Sequence, residues 1–117
     1  MDRIRGKILW VDDEVEHLKP HILYLEDKGY KIDSISNGKD ATILAKKNHY
    51  HIVLLDQSMP GMDGLETLKI LKQINPFIMV IMITKTEDEW LMNEAITEQV
   101  EQFLIKPVNP SQIFMAF

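Results

Sequence analysis

The chain has 117 residues, 45% apolar and 26% charged, with a formal net charge of −5. That length buries one core, the balance is that of a folded domain, and the acidic excess argues against direct nucleic-acid binding, which needs a cationic surface. Cysteine is absent, which removes disulfides, thiolate metal sites and thiol nucleophiles. Met1 leads into Asp2 and Arg3 without a signal-like stretch, and the longest apolar run, residues 77–83, is far below the roughly 18 residues of a spanning helix, so a soluble cytoplasmic domain without membrane contact is expected.

Residues 7–11 (KILWV) form a nearly continuous apolar block, as a strand covered on both faces requires, and the block stops at three successive carboxylates, Asp12, Asp13 and Glu14. Leu18, Ile22 and Leu25 then recur at helical spacing, with Gly29 as the stop. Pro20 falls inside that helix, where it should remove a hydrogen bond and bend the axis. Residues 31–36 (KIDSIS) alternate like an edge strand, and Ala41, Leu44 and Ala45 mark a second helix after the turn residues Asn37 and Gly38. A buried strand is predicted over 52–56 (IVLLD), and a third helix on Leu65, Leu68 and Leu71, closed by Asn75-Pro76. Residues 78–84 (IMVIMIT) form the next buried strand, Leu91, Ala95 and Ile96 a fourth helix, and 102–106 (QFLIK) the last strand. A fifth helix starts near Asn109, with Pro110 in its first turn, and the chain stops a turn or two later. The expectation is that this helix is cut short, so that residues 1–117 are one domain and any effector domain lies outside them.

Alternating strands and helices imply an α/β fold, a doubly wound parallel sheet with helices on both faces. Ligands then bind beyond the carboxyl ends of the strands, where strand order reverses. The residues expected there are Asp12 and Asp13 after the first strand, Asp56 after the third, Thr84 after the fourth and Lys106 after the fifth. Crowded carboxylates raise one another's pKa unless a cation joins them, and oxygen ligands without histidine or cysteine suit Mg2+. Such an ion completes its shell with water and phosphoryl oxygens. Lys106 can neutralise a phosphoryl group, Thr84 can donate to it, and Asp56, facing both the acidic pair and the lysine, is the best nucleophile for aspartyl-phosphate chemistry.

Taken singly, these residues have plainer uses. Asp12 and Asp13 could cap the first helix, Asp56 could be an ordinary turn residue, and Thr84 and Lys106 could be solvated. Their joint placement at the ends of the correct strands is what a single pocket explains. The seven methionines suit packing, and His17, His21, His49 and His51 have no evident metal partners.

The segments LWVDDE, LLDQSMPGMDGLE, MIT and FLIKP resemble, in this order, the signatures of bacterial two-component response-regulator receiver (CheY-like) domains, and the resemblance covers essentially the whole chain. It implies a flavodoxin-like five-stranded sheet of order 2-1-3-4-5. It also implies Asp56 as acceptor of a phosphoryl group from a sensor histidine kinase. Mg2+ would be held by Asp13, Asp56 and the Ser58 backbone carbonyl, with Asp12 acting mainly through water. Thr84 and Lys106 would contact the phosphoryl oxygens, Thr84 and Phe103 would form the switch, and Gly64 with Met59-Pro60 would shape the pocket. Such a domain signals to an effector domain or a downstream protein and catalyses only its own phosphorylation and dephosphorylation, so it is not an enzyme in the usual sense. The segments ILWVDDEVEHLKPHILYLEDKGY, MITKTEDE and LIKPVNPSQI are further similar to the receiver of PorX-type regulators of type IX secretion.

Three features depart from the common receiver pattern or add to it. Lys85 follows Thr84 where a small residue is usual, and could shield the phosphoryl group. Gln99 stands where a glycine often precedes the last strand. Trp90, beside Leu91 and Met92, gives the fourth helix more apolar surface than a core stripe needs, which suggests docking or homodimerisation upon phosphorylation. Among competing functions, a flavin binder would need a hydroxyl- and glycine-rich phosphate loop after the first strand. An aspartyl hydrolase would need Asp-x-Asp there with a cap insertion. An unphosphorylated pseudo-receiver serving as a docking module should lack an acidic, nucleophilic or lysine group, and none is missing.

Overall fold

The computed structural model describes residues 5–117. Its elements in chain order are β1 (Gly6–Val11), a 3-10 turn (Val15–Leu18), α1 (Lys19–Asp27), β2 (Tyr30–Ile35), α2 (Gly38–Lys47), β3 (Ile52–Asp56), α3 (Gly64–Ile74), β4 (Met79–Thr84), α4 (Glu89–Thr97), β5 (Gln102–Ile105) and α5 (Pro110–Met115). All strand pairs are parallel, and the order is β2-β1-β3-β4-β5. The three continuous apolar blocks are the three inner strands. The alternating segment is the edge strand β2, where one face is only partly covered.

Because side chains alternate across a strand, each inner strand feeds two cores. Leu9, Val11, Val53, Leu55, Val80 and Met82 point to one face and meet Ala41 of α2, Leu65, Leu68 and Leu71 of α3, and Leu91 and Ala95 of α4. Ile8, Trp10, Leu54, Ile81 and Ile83 point to the other and meet Leu25 of α1 and Ile113 of α5. Side-chain caps start four helices: Asn37 accepts from Asp40 N, Asp63 from Glu66 N, Asp88 from Leu91 N and Asn109 from Gln112 N. The close approach of α2 to α3 requires a glycine, since a Cβ at Gly38 would meet the Thr67 hydroxyl.

The expectation for Pro20 is corrected. It does not sit inside a continuous first helix but in the first turn of α1, where its missing N–H costs nothing, and the 3-10 turn precedes it. Gly29, at φ +99°, ends that helix region as predicted. Gln99 takes the left-handed conformation at φ +69°, so the turn that a glycine often makes is kept, at a backbone cost. No helix among the described residues is long and apolar enough to cross a membrane.

Candidate functional site

Strand order reverses at β1, whose neighbours are β2 and β3, and this opens a crevice at the carboxyl ends of the sheet. Main-chain hydrogen bonds just past the strand ends hold the crevice residues in register. Asp12 N donates to Ile35 O at 3.1 Å, Gln57 N to Ile83 O at 3.1 Å, and Lys106 N to Thr84 O at 2.7 Å. Three loops from distant parts of the chain are thereby fixed to the rim of one rigid sheet.

Asp12, Asp13 and Asp56 each place a carboxylate oxygen within 4.8 Å of the others. Asp12 and Asp56 are only 2% and 3% exposed, while Asp13 opens to solvent. Lys106 Nζ lies 3.2 Å from Asp56 Oδ1 and 3.5 Å from Asp12 Oδ2. The other Asp12 oxygen accepts from Glu14 N at 2.8 Å, so this carboxylate holds the loop after β1 but caps no helix. Burial, then the negative charge of Asp12, pushes the Asp56 carboxyl above its ordinary value, and Lys106 only partly offsets this. Burial pulls the Lys106 ammonium down, but Asp56 and Asp12 outweigh it and hold the pKa above its ordinary value. One ammonium therefore balances a cluster carrying more than one negative charge. The donor set is all oxygen and small in span, which fits a hard divalent cation and not a thiophilic one.

The other expected residues divide into those at this centre and those set apart from it. Thr84 ends β4 and is buried, but its hydroxyl engages Thr86, donating to Thr86 O at 3.3 Å and accepting from Thr86 N at 3.4 Å. Ser58 lies in the exposed loop two residues after Asp56. Lys85 is exposed and makes no ion pair among the described residues. Phe103 is half-buried on β5, level with Met82, and packs against the core under α4. Trp90 is 65% exposed in the first turn of α4, so its indole is not core.

Gln57 escaped the sequence reading although it builds the wall of the site. Its carbonyl accepts from Gly64 N at 3.1 Å and its side-chain oxygen from Leu65 N at 2.8 Å, which ties the start of α3 to the residue after Asp56. The same closeness accounts for Gly64: a Cβ there would lie 2.7 Å from Asp56 O and from Gln57 Cα. A glutamine after an aspartate carries no local signal of either bond.

Fold and site together define a doubly wound α/β domain with an acidic, lysine-neutralised centre at its switch point. The chain belongs to the response regulator receiver domain family, whose pattern matches residues 8–117, and it is a receiver domain of two-component response regulators. It is 32% identical over 111 residues to the transcriptional regulatory protein ResD of Bacillus subtilis, covering 93% of this chain and 45% of that protein. It is 31% identical over 110 residues to SrrA of Staphylococcus aureus, covering 94% and 45%. The chain thus spans less than half the length of these curated relatives. Among solved structures, Vibrio cholerae CheY4 superposes with a TM-score of 0.87 at 26% identity, over 94% of this chain and 93% of that one. CheY of Borrelia burgdorferi, solved as a CheX-CheY-BeF3-Mg2+ complex, gives 0.89 at 28% identity, over 97% and 87%.

Proposed function

We propose that this domain accepts a phosphoryl group on Asp56 from a sensor histidine kinase, with Mg2+ held by Asp13, Asp56 and the Ser58 backbone carbonyl directly and by Asp12 mainly through water. The observation that carries the reading is the buried Asp56 carboxylate, paired with Lys106 at 3.2 Å and flanked by two more carboxylates. The Asp56 oxygen attacks phosphorus, the bond from phosphorus to the kinase imidazole breaks, and the imidazole leaves to be reprotonated by solvent. Lys106 stays charged throughout and follows the negative charge as it passes to the phosphoryl oxygens. A bound Mg2+ would supply neutralisation of the crowded carboxylates and of the incoming phosphoryl group.

Thr84 is the switch in this reading. Its two bonds to Thr86 are long, at the weak end of the hydrogen-bond range, so exchanging them for a phosphoryl oxygen sacrifices little. Movement of Thr84 and the β4–α4 loop would let Phe103 change its packing beneath α4, altering the surface formed by α4, β5 and α5. Exposed Trp90 and Ile96 on α4 are the apolar groups of that surface available to a second copy or an effector. The relatives ResD and SrrA are named transcriptional regulators about twice this length, which supports an effector joined to, or acting after, such a receiver. The similarity of ILWVDDEVEHLKPHILYLEDKGY to PorX-type receivers supports a cytoplasmic regulator of that type. Incubation with acetyl phosphate and Mg2+, followed by intact mass, tests the central reading. The chain should gain one phosphoryl mass, and Asp56→Asn should gain none. Equal labelling of both would exclude Asp56 as the acceptor.

A further inference from the structure

Phosphoryl transfer to Asp56 requires the Lys106 ammonium to stay at one spot while negative charge passes to the phosphoryl oxygens. On one side the lysine's backbone is fixed, since Lys106 N donates to Thr84 O at 2.7 Å. On the other side the chain runs through Pro107, which has no N–H, to Val108 and the helix cap Asn109. Among the described residues, the main chain of 107 and 108 makes one hydrogen bond, and its partner comes from a different element. His21 Nε2, on α1, lies 2.7 Å from Val108 O.

The carbonyl can only accept, so Nε2 carries the hydrogen and donates it. Trp10 of β1, which is 1% exposed, meets the imidazole edge to face with centroids 6.1 Å apart and so holds the ring for this bond. Nδ1 is buried without a partner among the described residues, so the bond to Val108 is the one the imidazole makes there. Burying that second nitrogen opposes folding, and a hydrocarbon side chain of similar size would carry no such cost. What the imidazole supplies and a hydrocarbon would not is a donor aimed at the loop after Lys106. The bond also joins the two halves of the acidic centre. α1 follows the loop of Asp12 and Asp13, while Val108, 87 residues from His21, lies two residues beyond the lysine.

We propose that His21 is a positioning residue for phosphoryl transfer. By bonding Val108 O it fixes the chain just past Lys106, and so keeps Nζ 3.2 Å from Asp56 Oδ1 and 3.5 Å from Asp12 Oδ2. The inference rests on the reading of Asp56 as phosphoryl acceptor. His21 acts only through the lysine, since its single hydrogen bond goes to the loop and not to a carboxylate of the centre. With the bond gone, the loop gains freedom, and a long flexible side chain turns a small backbone shift into displacement of its ammonium. Mg2+ takes oxygen ligands and none from Lys106, so loss of the bond slows transfer without weakening the metal site.

The test follows phosphoryl uptake from acetyl phosphate by intact mass in saturating Mg2+, with Mg2+ affinity measured by calorimetry. A small donor leaves out any contact between α1 and a kinase. A parent chain that takes up no phosphoryl group overturns the reading of Asp56 and this inference with it; once the parent is labelled, the variants judge His21 alone. His21→Leu removes the donor and should slow uptake roughly 10-fold, while Mg2+ binds no more weakly. His21→Gln can place an amide N–H where Nε2 stands and should restore most of the rate. Uptake as fast in His21→Leu as in the parent overturns the proposal. So does a His21→Gln variant no faster than His21→Leu, or a rate that falls in step with Mg2+ affinity. If His21→Leu fails to fold, His21→Asn, whose amide is too short to reach Val108, takes its place. The parent chain supplies a check that needs no variant: 15N ring shifts should show the hydrogen of His21 on Nε2, and a hydrogen on Nδ1 alone removes the bond and the proposal.

Discussion

Replacing the central carboxylate with its isosteric amide should make this protein more stable when no divalent cation is present. The oxygens of Asp12, Asp13 and Asp56 come within 4.8 Å of one another. At an effective dielectric of about 20, each like-charge pair at that separation costs roughly 3.5 kcal/mol. Lys106, 3.2 Å from Asp56, returns about 5 kcal/mol on the same scale. Burying a carboxylate costs several kcal/mol more, so the balance at Asp56 is adverse, in agreement with its raised pKa. Asp56→Asn removes the repulsion and the desolvated charge, while Lys106 keeps Asp12 at 3.5 Å. In EDTA at pH 7 the variant should exceed the parent by about 1–2 kcal/mol, a rise of roughly 5 °C in Tm for a domain of this size. The sign of the pH dependence follows from the raised folded value. Protonated Asp56 favours the fold below the ordinary value of 3.8 and that contribution is lost as pH climbs through the folded value. The gap between variant and parent should therefore vanish at acid pH and be complete at neutrality. Saturating Mg2+ at about 100 times its Kd should add about 2.7 kcal/mol to the parent and less to the variant, closing or reversing the gap. Thermal melts of both proteins in EDTA and in Mg2+ measure all of this. A variant less stable than the parent in EDTA at pH 7, or a gap that Mg2+ leaves unchanged, would refute the electrostatic account.

Gly64→Ala puts a methyl 2.7 Å from Asp56 O and Gln57 Cα, and should cost about 1–3 kcal/mol by overpacking while slowing phosphoryl uptake; an unchanged denaturation midpoint would show that α3 can move away freely. Gln99→Gly relieves the left-handed strain at φ +69° and should stabilise by about 0.5–1 kcal/mol after the entropy of the added glycine; urea unfolding reads it, and a loss of stability would contradict the strain. Lys85→Ala should shorten the lifetime of the phosphorylated state several-fold, about 1 kcal/mol in barrier, if the exposed ammonium borders the route of attacking water; decay after donor removal in excess Mg2+ is the assay, and unchanged or slower decay excludes shielding. Trp90→Ala should abolish any phosphorylation-dependent rise in mass by light scattering while leaving phosphorylation itself intact; a dimer that survives the change lies on another face.

The sequence by itself determined the strands, the positions of the carboxylates and lysine at their carboxyl ends, and the receiver class. Those features are local: a strand covered on both faces must be an unbroken apolar run such as IVLLD, and a charge directly after it has only the rim of the sheet to occupy. The convergence of Lys106 and Asp12, 94 residues apart, on one rim was also legible, because the alternating pattern leaves one sensible sheet whose strand ends meet there; their direct contact was not. Helical periodicity, in contrast, misplaced Pro20, since spacing alone cannot tell a helix interrupted by proline from a 3-10 turn followed by a helix that begins there. Only the tertiary structure decided that Thr84 bonds Thr86, that Gln57 ties α3 to the residue after Asp56, and that Trp10 and His21 meet edge to face. Each of these depends on where a side chain meets a segment from a different element or turn. That meeting is set by how helices seat on the two faces of the sheet, and the short-range periodicity of a sequence carries no record of it.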